Sequence, residues 1–253
     1  MWEGFMTSAS SYAQSIDNVI LLIAVLVGFW FLAAEAVLFA FILKFRHREG
    51  KPAQFISGEE KHQKLWVSIP HLVVFLCDIL IIAAAIIVWV DIKQTLPPAE
   101  RTIRVFSQQF AWSFQDPGPD GVLDTADDVR TVDELHVIAN TTYHFELQST
   151  DVVHSFSVPA FRLKQDAVPG RATTGWFRAT RPGTYDIQCT QMCGIGHALM
   201  AGRIVVEDSQ SFAAWAARVG NPPNAAAVFG SPAASARAGT IEASSAATAE
   251  VRR

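Results

Sequence analysis

The sequence predicts a membrane-anchored α+β protein, in which a two-helix transmembrane hairpin is followed by an all-β domain. Half of the 253 residues are apolar and only 17% are charged, a composition too apolar for an ordinary soluble domain. The apolar residues are concentrated in two long runs near the N-terminus, and short runs of alternating polarity follow them. The first pattern is typical of membrane spans and the second of half-buried strands.

Two apolar runs, residues 19–43 and 66–90, predict a helical hairpin over residues 19–90. Each run is long enough, as a helix, to cross the ~30 Å hydrocarbon core of a bilayer. The loop 44–65 between them carries clustered lysine and arginine residues, which favours its retention on the cytoplasmic side. We therefore expect residues 1–18, and the chain after the second span, to lie on the outer side.

Two acidic residues, Glu35 and Asp78, lie inside the predicted spans. A carboxylate that faces lipid costs several kcal/mol, so each should point at the other, at a polar group of a partner, or at water. Hydrogen bonding between helices or subunits is one interpretation of this pair. A part in a proton path is the other.

After Pro97 and Pro98 the apolar pattern changes to a period of two, in runs rich in β-branched and aromatic residues. Eight to ten short strands at this spacing favour a sandwich or Greek-key barrel over residues 97–220. A short amphipathic helix at 209–219 should close the domain, and the Ala-, Ser- and Pro-rich tail 221–253 should be flexible. The predicted strands are Thr102–Phe106, Phe110–Phe114, Leu135–Ala139, Tyr143–Gln148, Val152–Val158, Thr173–Ala179, Gly183–Gln188 and Gly202–Glu207.

One short segment carries four soft metal donors, Cys189, Cys193, His197 and Met200. Thiolate, thioether and imidazole together select copper or zinc, and the thioether favours copper. A mononuclear blue-copper site uses one cysteine with two histidines and a weak methionine, so a second thiolate is best explained as a bridge between two copper ions. His154, in an apolar strand-like run, is the candidate for the second imidazole.

Two motifs make the chain resemble subunit II of the haem–copper (cytochrome c) oxidases over residues 15–215. They are the Cys-x3-Cys-x3-His-x2-Met run, and His-Ser-Phe-x-Val-Pro continuing into Lys-Gln-Asp-Ala-Val-Pro-Gly-Arg at 164–171. The resemblance implies a cupredoxin-like Greek-key domain on the outer side of a bacterial cytoplasmic membrane. It also implies that electrons pass from a cytochrome c-type donor to haem in subunit I, which reduces oxygen to water and translocates protons.

The resemblance further implies a binuclear CuA centre and the role of each ligand. Two cysteines bridge the copper ions, one histidine binds each ion, and a thioether and a backbone carbonyl are weak axial ligands. The bridging residues would be Cys189 and Cys193, and the two histidines would be His154 and His197. Met200 would supply the thioether and Gln191 the carbonyl. Most relatives have glutamate in place of Gln191 and bind magnesium through it at the subunit I interface. A neutral amide is a poorer ligand for this hard dication, so magnesium binding here stays open.

The resemblance leaves two candidates for the residue at which electrons enter. Residues 109–114 are similar to a family segment whose first tryptophan accepts electrons, and that position is Phe110 in this chain. Trp112 is the alternative, although it is also suited to a buried core position. No Cys-x-x-Cys-His haem motif is present in the sequence, so the chain should carry no haem and its donor should be a separate protein or subunit.

The acidic insertion and the segment that contains Asp166 and Arg171 each have more than one interpretation. The insertion 116–134 holds seven acidic residues among nineteen, and could steer a basic cytochrome, hold Ca²⁺, or form a solvated acidic loop. Asp166 and Arg171 match a family segment at the subunit I interface, or form an ordinary surface ion pair. The formal charge of −4 excludes a nucleic-acid partner.

Two other functions are compatible with parts of this pattern. A quinol oxidase subunit II shares the spans and fold but has lost the copper ligands, all of which are present here. A copper-carrying or assembly cupredoxin would bind the metal without transferring electrons in turnover. These two remain the alternatives to an electron-accepting oxidase subunit.

Overall fold

Two long helices, ten strands and a closing helix follow one another in the described part of the chain, which covers residues 7–52, 56–118 and 120–219 of a computed structural model. The predicted tail 221–253 and the first six residues of the predicted N-terminal segment lie outside these ranges. The architecture is a helical hairpin joined to a two-sheet sandwich, so the predicted fold class is confirmed.

Helix α1 spans Ala13–Lys44, and helix α2 spans Lys61–Trp89 and continues as a π-helical turn to Gln94. Both are long and apolar enough to cross a membrane, and neither apolar stretch is buried within the protein. A helix that is apolar on all sides is stable only against lipid or another subunit. The helices extend beyond the predicted spans 19–43 and 66–90. Hydropathy marks only the residues suited to the hydrocarbon core, whereas the helical backbone hydrogen bonds continue into the polar residues on either side.

The two intramembrane acids do not meet in this chain. Glu35 on α1 is half-buried and Asp78 on α2 is exposed, and no hydrogen bond joins them within the described ranges. Of the three arrangements expected from the cost of a buried carboxylate, contact between the two helices is therefore not observed for this pair. For Asp78 this leaves a polar group of a partner subunit, or water.

Ten strands form two five-stranded sheets, in the orders β3-β2-β1-β5-β8 and β4-β10-β9-β6-β7. The pairs β1·β5 and β4·β10 are parallel and the other neighbours are antiparallel. The strands are β1 Arg101–Gln108, β2 Ala111–Asp116, β3 Val129–Val132, β4 Glu134–Ile138, β5 Thr142–Ser149, β6 His154–Val158, β7 Leu163–Ala167, β8 Thr173–Arg178, β9 Gly183–Cys189 and β10 Ala201–Glu207.

The expected number of strands is confirmed, but β3 and β7 were not predicted. Strand β7 exposes Lys164 and Asp166 and buries only Leu163 and Ala167 at its ends, so its three central residues look like a loop. Strand β3 is four residues long and lies inside the acidic insertion. Both are edge strands, and one side of an edge strand needs little apolar character because it faces no further strand.

Aromatic side chains fill the space between the sheets. The Trp112 and Phe156 rings lie 5.3 Å apart edge to face, and Phe156 also contacts Phe114 and Phe145. All four side chains are at most 2% exposed, and burying one such ring stabilises the fold by about 1.5–3 kcal/mol. This close-packed core lies directly below the strand ends that carry the metal donors, and so holds them in fixed positions.

The segment before α1 pairs with the sandwich. Ala9 is fully buried, its amide donates to Ala160 and its carbonyl accepts from Thr180. At the start of α1, Asp17 accepts two hydrogen bonds from Arg162, at 2.7 and 2.9 Å. The beginning of α1 and the sandwich are therefore held together on one side of the hairpin.

Helix α3, Ser209–Val219, closes the domain as predicted. It buries Phe212 and Trp215, and Trp215 stacks on His136 with ring centroids 4.0 Å apart. His136 also contacts Glu207 through Nδ1 at 2.7 Å and Glu134 through Nε2 at 3.1 Å. His136 thus anchors the closing helix to the sandwich.

Candidate metal centre

The predicted metal donors meet at one end of the sandwich, where β6 begins and β9 ends. Strands β6 and β9 are paired with Phe156 opposite Cys189, which brings His154, at the start of β6, beside that cysteine. The loop from 190 to 200 then returns to β10 and carries the remaining donors. A rigid pair of strands thus supplies two donors and one short loop supplies the others.

The distances between donor atoms fit metal binding. Cys189 Sγ lies 3.8 Å from Cys193 Sγ and 3.9 Å from His154 Nδ1, while Cys193 Sγ lies 3.6 Å from His197 Nδ1 and 3.9 Å from Met200 Sδ. Two thiolates on one tetrahedral ion would be about 3.8 Å apart, and a thiolate and an imidazole nitrogen about 3.5 Å apart, from ordinary bond lengths. The donors are therefore already near the spacing of ligands that share ions.

All six predicted ligands belong to this cluster. The Gln191 carbonyl oxygen lies 3.3 Å from Cys189 Sγ, and its side chain is exposed. Cys189, Cys193, Met200 and His154 are each less than 9% exposed. The set of two thiols, two imidazoles, a thioether and a carbonyl is soft, as copper prefers, and a thioether is rare around zinc.

Burial raises the pKa of the Cys193 thiol to about 11, and the hydrogen bond to Cys189 and that residue's negative charge act in the same direction. A metal ion that binds here must displace a proton from this thiol. Partial burial raises the pKa of the Asp151 carboxyl, but hydrogen bonds from His154, Gln109 and Val152 outweigh this effect, so its pKa lies below the usual value. A carboxylate therefore lies beside the donor cluster at neutral pH.

The two candidates for electron acceptance occupy different positions. Phe110 is half-buried in the turn between β1 and β2, and its ring covers the ligand loop: a Cβ added at Gly196 would lie 2.5 Å from Phe110 Cδ2. Trp112 is fully buried, and its ring centroid lies 6.3 Å from that of His154. Of the two, Phe110 is partly exposed, while Trp112 is buried beside His154.

Large apolar side chains surround the buried donors on the outside. Met192 is 75% exposed, Leu199 is 84% exposed and Ile195 is completely exposed. All three belong to the ligand loop. The loop therefore has an inner side that carries the donor atoms and an outer side with exposed apolar side chains.

Two residues at the site were missed in the sequence analysis, Asp151 and Gln109. Asp151 Oδ1 accepts a hydrogen bond from His154 Nε2 at 2.8 Å, and Gln109 Nε2 donates to the Cys193 carbonyl at 2.6 Å. An acid three residues before a histidine ligand, at the start of a strand, is a signal for the first contact. No local sequence pattern indicates the second contact, because the two residues are far apart in the chain.

Two acids of the insertion pair with arginines of β1. Asp124 accepts two hydrogen bonds from Arg104, at 2.6 and 2.8 Å, and Asp116 forms a buried ion pair with Arg101 at 2.6 Å. Asp124 is nevertheless 52% exposed and Asp120 is also exposed, so a solvated acidic loop, or one that steers a basic cytochrome, stays a prediction. Among the described residues, the insertion contains no acidic cluster with metal-binding geometry. The group with such geometry in the described part of the chain is His154 with Cys189 and Cys193.

Of the two interpretations of Asp166 and Arg171, the surface ion pair is not observed. Both side chains are exposed, and no ion pair joins them in the part of the chain that the structure describes. Asp166 lies on the edge strand β7 and Arg171 in the turn after it. Their charges remain available to a partner.

A helical membrane anchor, a two-sheet sandwich and a buried cluster of soft donors at one sandwich end together define a membrane-anchored, cupredoxin-like metal protein. A family profile described as cytochrome c oxidase subunit II, periplasmic domain, matches residues 119–209. The chain belongs to the cytochrome c oxidase subunit 2 family, as the sequence motifs predicted. Membership makes it one subunit of an oxidoreductase complex, with electron transfer as the role of the family.

Two relatives by sequence agree with this assignment. The alternative cytochrome c oxidase subunit 2 of Bradyrhizobium diazoefficiens is 33% identical over 223 residues, which cover 79% of this chain and 78% of that protein. The cytochrome c oxidase subunit 2 of Cereibacter sphaeroides is 29% identical over 246 residues, covering 84% and 78%. Among solved structures, the periplasmic domain of subunit II of cytochrome oxidase from Bradyrhizobium japonicum is similar with 28% identity and a TM-score of 0.45, covering 49% of this chain and 96% of that one.

Proposed function

We propose that the chain accepts single electrons from a cytochrome c-type donor at a binuclear CuA centre and passes them to haem in subunit I. The observation that carries this proposal is the donor cluster, in which two thiols lie 3.8 Å apart and each lies within 3.9 Å of further soft donors. Oxygen reduction and proton translocation would take place in the partner subunit.

The chain's own residues suit a relay better than a substrate site. Cys189 and Cys193 would bridge the two ions, His154 and His197 would each bind one, and Met200 with the Gln191 carbonyl would complete the set. Two copper ions bridged by two thiolates supply one-electron transfer with little change in bond lengths. This donor set would leave no open position for a substrate on the bound metal, unlike a catalytic metal site that keeps a water.

The outer face of the ligand loop supports docking of a redox partner. Met192, Ile195 and Leu199 present apolar surface, and Phe110 lies over the loop from the neighbouring turn. An apolar contact of this limited size suits a short-lived complex, which an electron donor that turns over rapidly requires. We propose Phe110 as the surface contact and Trp112 as the aromatic residue behind it, beside His154.

The orientation follows from charge and from the helical hairpin. The basic loop 44–65 favours the cytoplasmic side, and the contacts of Ala9 and Asp17 with the sandwich support placing residues 1–18 and the sandwich together on the opposite side. We propose that this is the periplasmic side of a bacterial inner membrane, with subunit I and lipid covering the apolar faces of α1 and α2. The exposed amide of Gln191 is uncharged, so we expect magnesium to bind there more weakly than with glutamate.

The variant Cys193→Ser tests the proposal in the purified oxidase complex. It should abolish the mixed-valence copper signal and block oxidation of reduced cytochrome c, because one bridging thiolate is lost. Secondary structure and co-purification of subunit I should be retained, since the substitution exchanges one sulfur atom for an oxygen and leaves the rest of the core unchanged. The matched control is Cys77→Ser. Cys77 lies in α2, away from the donors, so this substitution should leave the copper signal intact.

Two results would count against the proposal. Full cytochrome c oxidation by Cys193→Ser would show that electrons do not pass through this centre. A colourless protein that holds only Cu(I), with no paramagnetic signal after oxidation, would favour a copper carrier instead.

A further inference from the structure

Asp151 has an unusual number of hydrogen-bond donors for a residue at a strand end. Its Oδ1 accepts from His154 Nε2 at 2.8 Å and from the Val152 amide at 2.6 Å, and its Oδ2 accepts from the Gln109 amide at 2.6 Å. Ser149 Oγ approaches Oδ1 at 3.4 Å. The side chain is 30% exposed, so this arrangement is built at the border between the metal cluster and solvent.

The contact with His154 decides which imidazole nitrogen faces the thiols. His154 is fully buried and its Nδ1 lies 3.9 Å from Cys189 Sγ. A carboxylate beside Nε2 requires the proton on that nitrogen and leaves the Nδ1 lone pair directed at the cluster. Without this acceptor the buried ring would keep neither its tautomer nor its orientation.

The contact with Gln109 connects the same carboxylate to the turn that carries Phe110. The Gln109 amide donates to Asp151, and the Gln109 side chain donates to the Cys193 carbonyl at 2.6 Å. The adjoining Phe110 ring rests on the ligand loop, where a Cβ at Gly196 would clash with it. Asp151 and Gln109 thus tie the outer aromatic turn to both cysteine-bearing halves of the cluster.

We propose that Asp151 is a positioning residue for the metal centre: it fixes the tautomer and orientation of His154 and, through Gln109, holds the Phe110 turn against the ligand loop. This inference rests on the proposed copper centre. A carboxylate is required because one oxygen accepts a hydrogen bond from His154 and the other accepts one from the Gln109 amide. An asparagine offers one accepting oxygen and can satisfy only one of them.

Three variants of the full chain, purified in its oxidase complex, test the two halves of this role separately. Asp151→Ala removes both contacts, and Asp151→Asn keeps an acceptor for His154 but loses the anchor of Gln109. Asp186→Asn is the matched control, because Asp186 is an exposed acid on β9 and its substitution makes the same change in charge. The measurements are copper release to an excess of chelator, the paramagnetic spectrum, the His154 Nε2–H proton resonance, and the rate of electron acceptance from reduced cytochrome c.

Asp151→Ala should bind copper about 10-fold to 100-fold more weakly, the usual effect of losing such a partner of a histidine ligand. Its paramagnetic spectrum should change, and its Nε2–H resonance should disappear through exchange with solvent. Asp151→Asn should keep the copper affinity and the resonance but accept electrons several-fold more slowly, because the Phe110 turn is released. Asp186→Asn should match the wild type in all four measurements.

Wild-type copper affinity, spectrum and proton resonance in Asp151→Ala would overturn the role toward His154. Wild-type electron acceptance in Asp151→Asn, which keeps the fold even if the alanine variant does not, would overturn the role toward Phe110. Both results presuppose a wild-type chain that carries the paramagnetic copper pair. If the wild type shows no such pair, the proposed function fails as well.

Discussion

Gly196 carries a hydrogen where any other residue would carry a Cβ, and this lets the ligand loop touch the Phe110 ring. An added Cβ would lie 2.5 Å from Phe110 Cδ2, well inside the usual contact distance. Either the ring or the loop would have to move. Gly194 is constrained in a similar way, since its φ of +139° is rarely adopted by other residues.

Gly196→Ala should therefore destabilise the domain by about 1–3 kcal/mol, the usual cost of overpacking, and slow electron acceptance by displacing Phe110. Urea unfolding of the copper-loaded chain and stopped-flow oxidation of cytochrome c measure the two effects. The double variant Gly196→Ala/Phe110→Ala removes the clash, so the alanine at 196 should cost less in that background. Equal costs in both backgrounds would show that Phe110 is not the constraint.

At the scale of secondary-structure elements, Arg101 connects its own strand β1 with strand β2 and helix α3. Its guanidinium donates to Asp116 at the end of β2 at 2.6 Å and to the Gly118 carbonyl at 2.9 Å, and it lies 5.3 Å from the Phe212 ring of α3. Burial raises the pKa of the Asp116 carboxyl more than Arg101 lowers it. Arg101 and Asp116 thus form a buried ion pair. Loss of either residue leaves the other as a buried polar group without its partner.

Arg101→Ala should lower the free energy of unfolding by about 3 kcal/mol and loosen α3. The matched control is Arg203→Ala, because Arg203 is 65% exposed and its contact with Glu134 is 3.3 Å long. An exposed pair of this kind contributes about 0–1 kcal/mol. Chemical denaturation with tryptophan fluorescence reports both changes, and similar effects of the two substitutions would contradict a special role for the buried pair.

The elements also show what sequence reasoning reaches and what it does not. Strands with regular apolar alternation, such as β5 with Tyr143, Phe145 and Leu147 all inward, were predicted because burial on one face imposes a period of two. Edge strands β3 and β7 were missed, since backbone pairing with one neighbour is enough to form them. The cluster of soft donor side chains was anticipated from the sequence because such side chains are rare, and because four of the donors lie within the twelve residues 189–200. The Gln109 contact with Cys193 depends on tertiary packing and leaves no pattern in the sequence.

At the scale of the whole molecule, the membrane anchor and the sandwich are joined by more than a linker. Ala9 and its neighbours pair with the sandwich, Arg162 holds Asp17, and the Tyr12 ring contacts Trp176 at 5.1 Å. Trp176 in turn donates to the Ile92 carbonyl at the end of α2. These contacts come from both helices, so they fix the position and orientation of the donor cluster relative to the helical hairpin.

The most direct test of this account is the paramagnetic resonance spectrum of the oxidised full chain, together with its copper content. We predict two copper ions per chain that share one unpaired electron, seen as a multiline hyperfine pattern. The pattern should vanish in Cys193→Ser. A single copper ion with a mononuclear spectrum, or zinc in place of copper, would contradict the proposed electron-accepting centre.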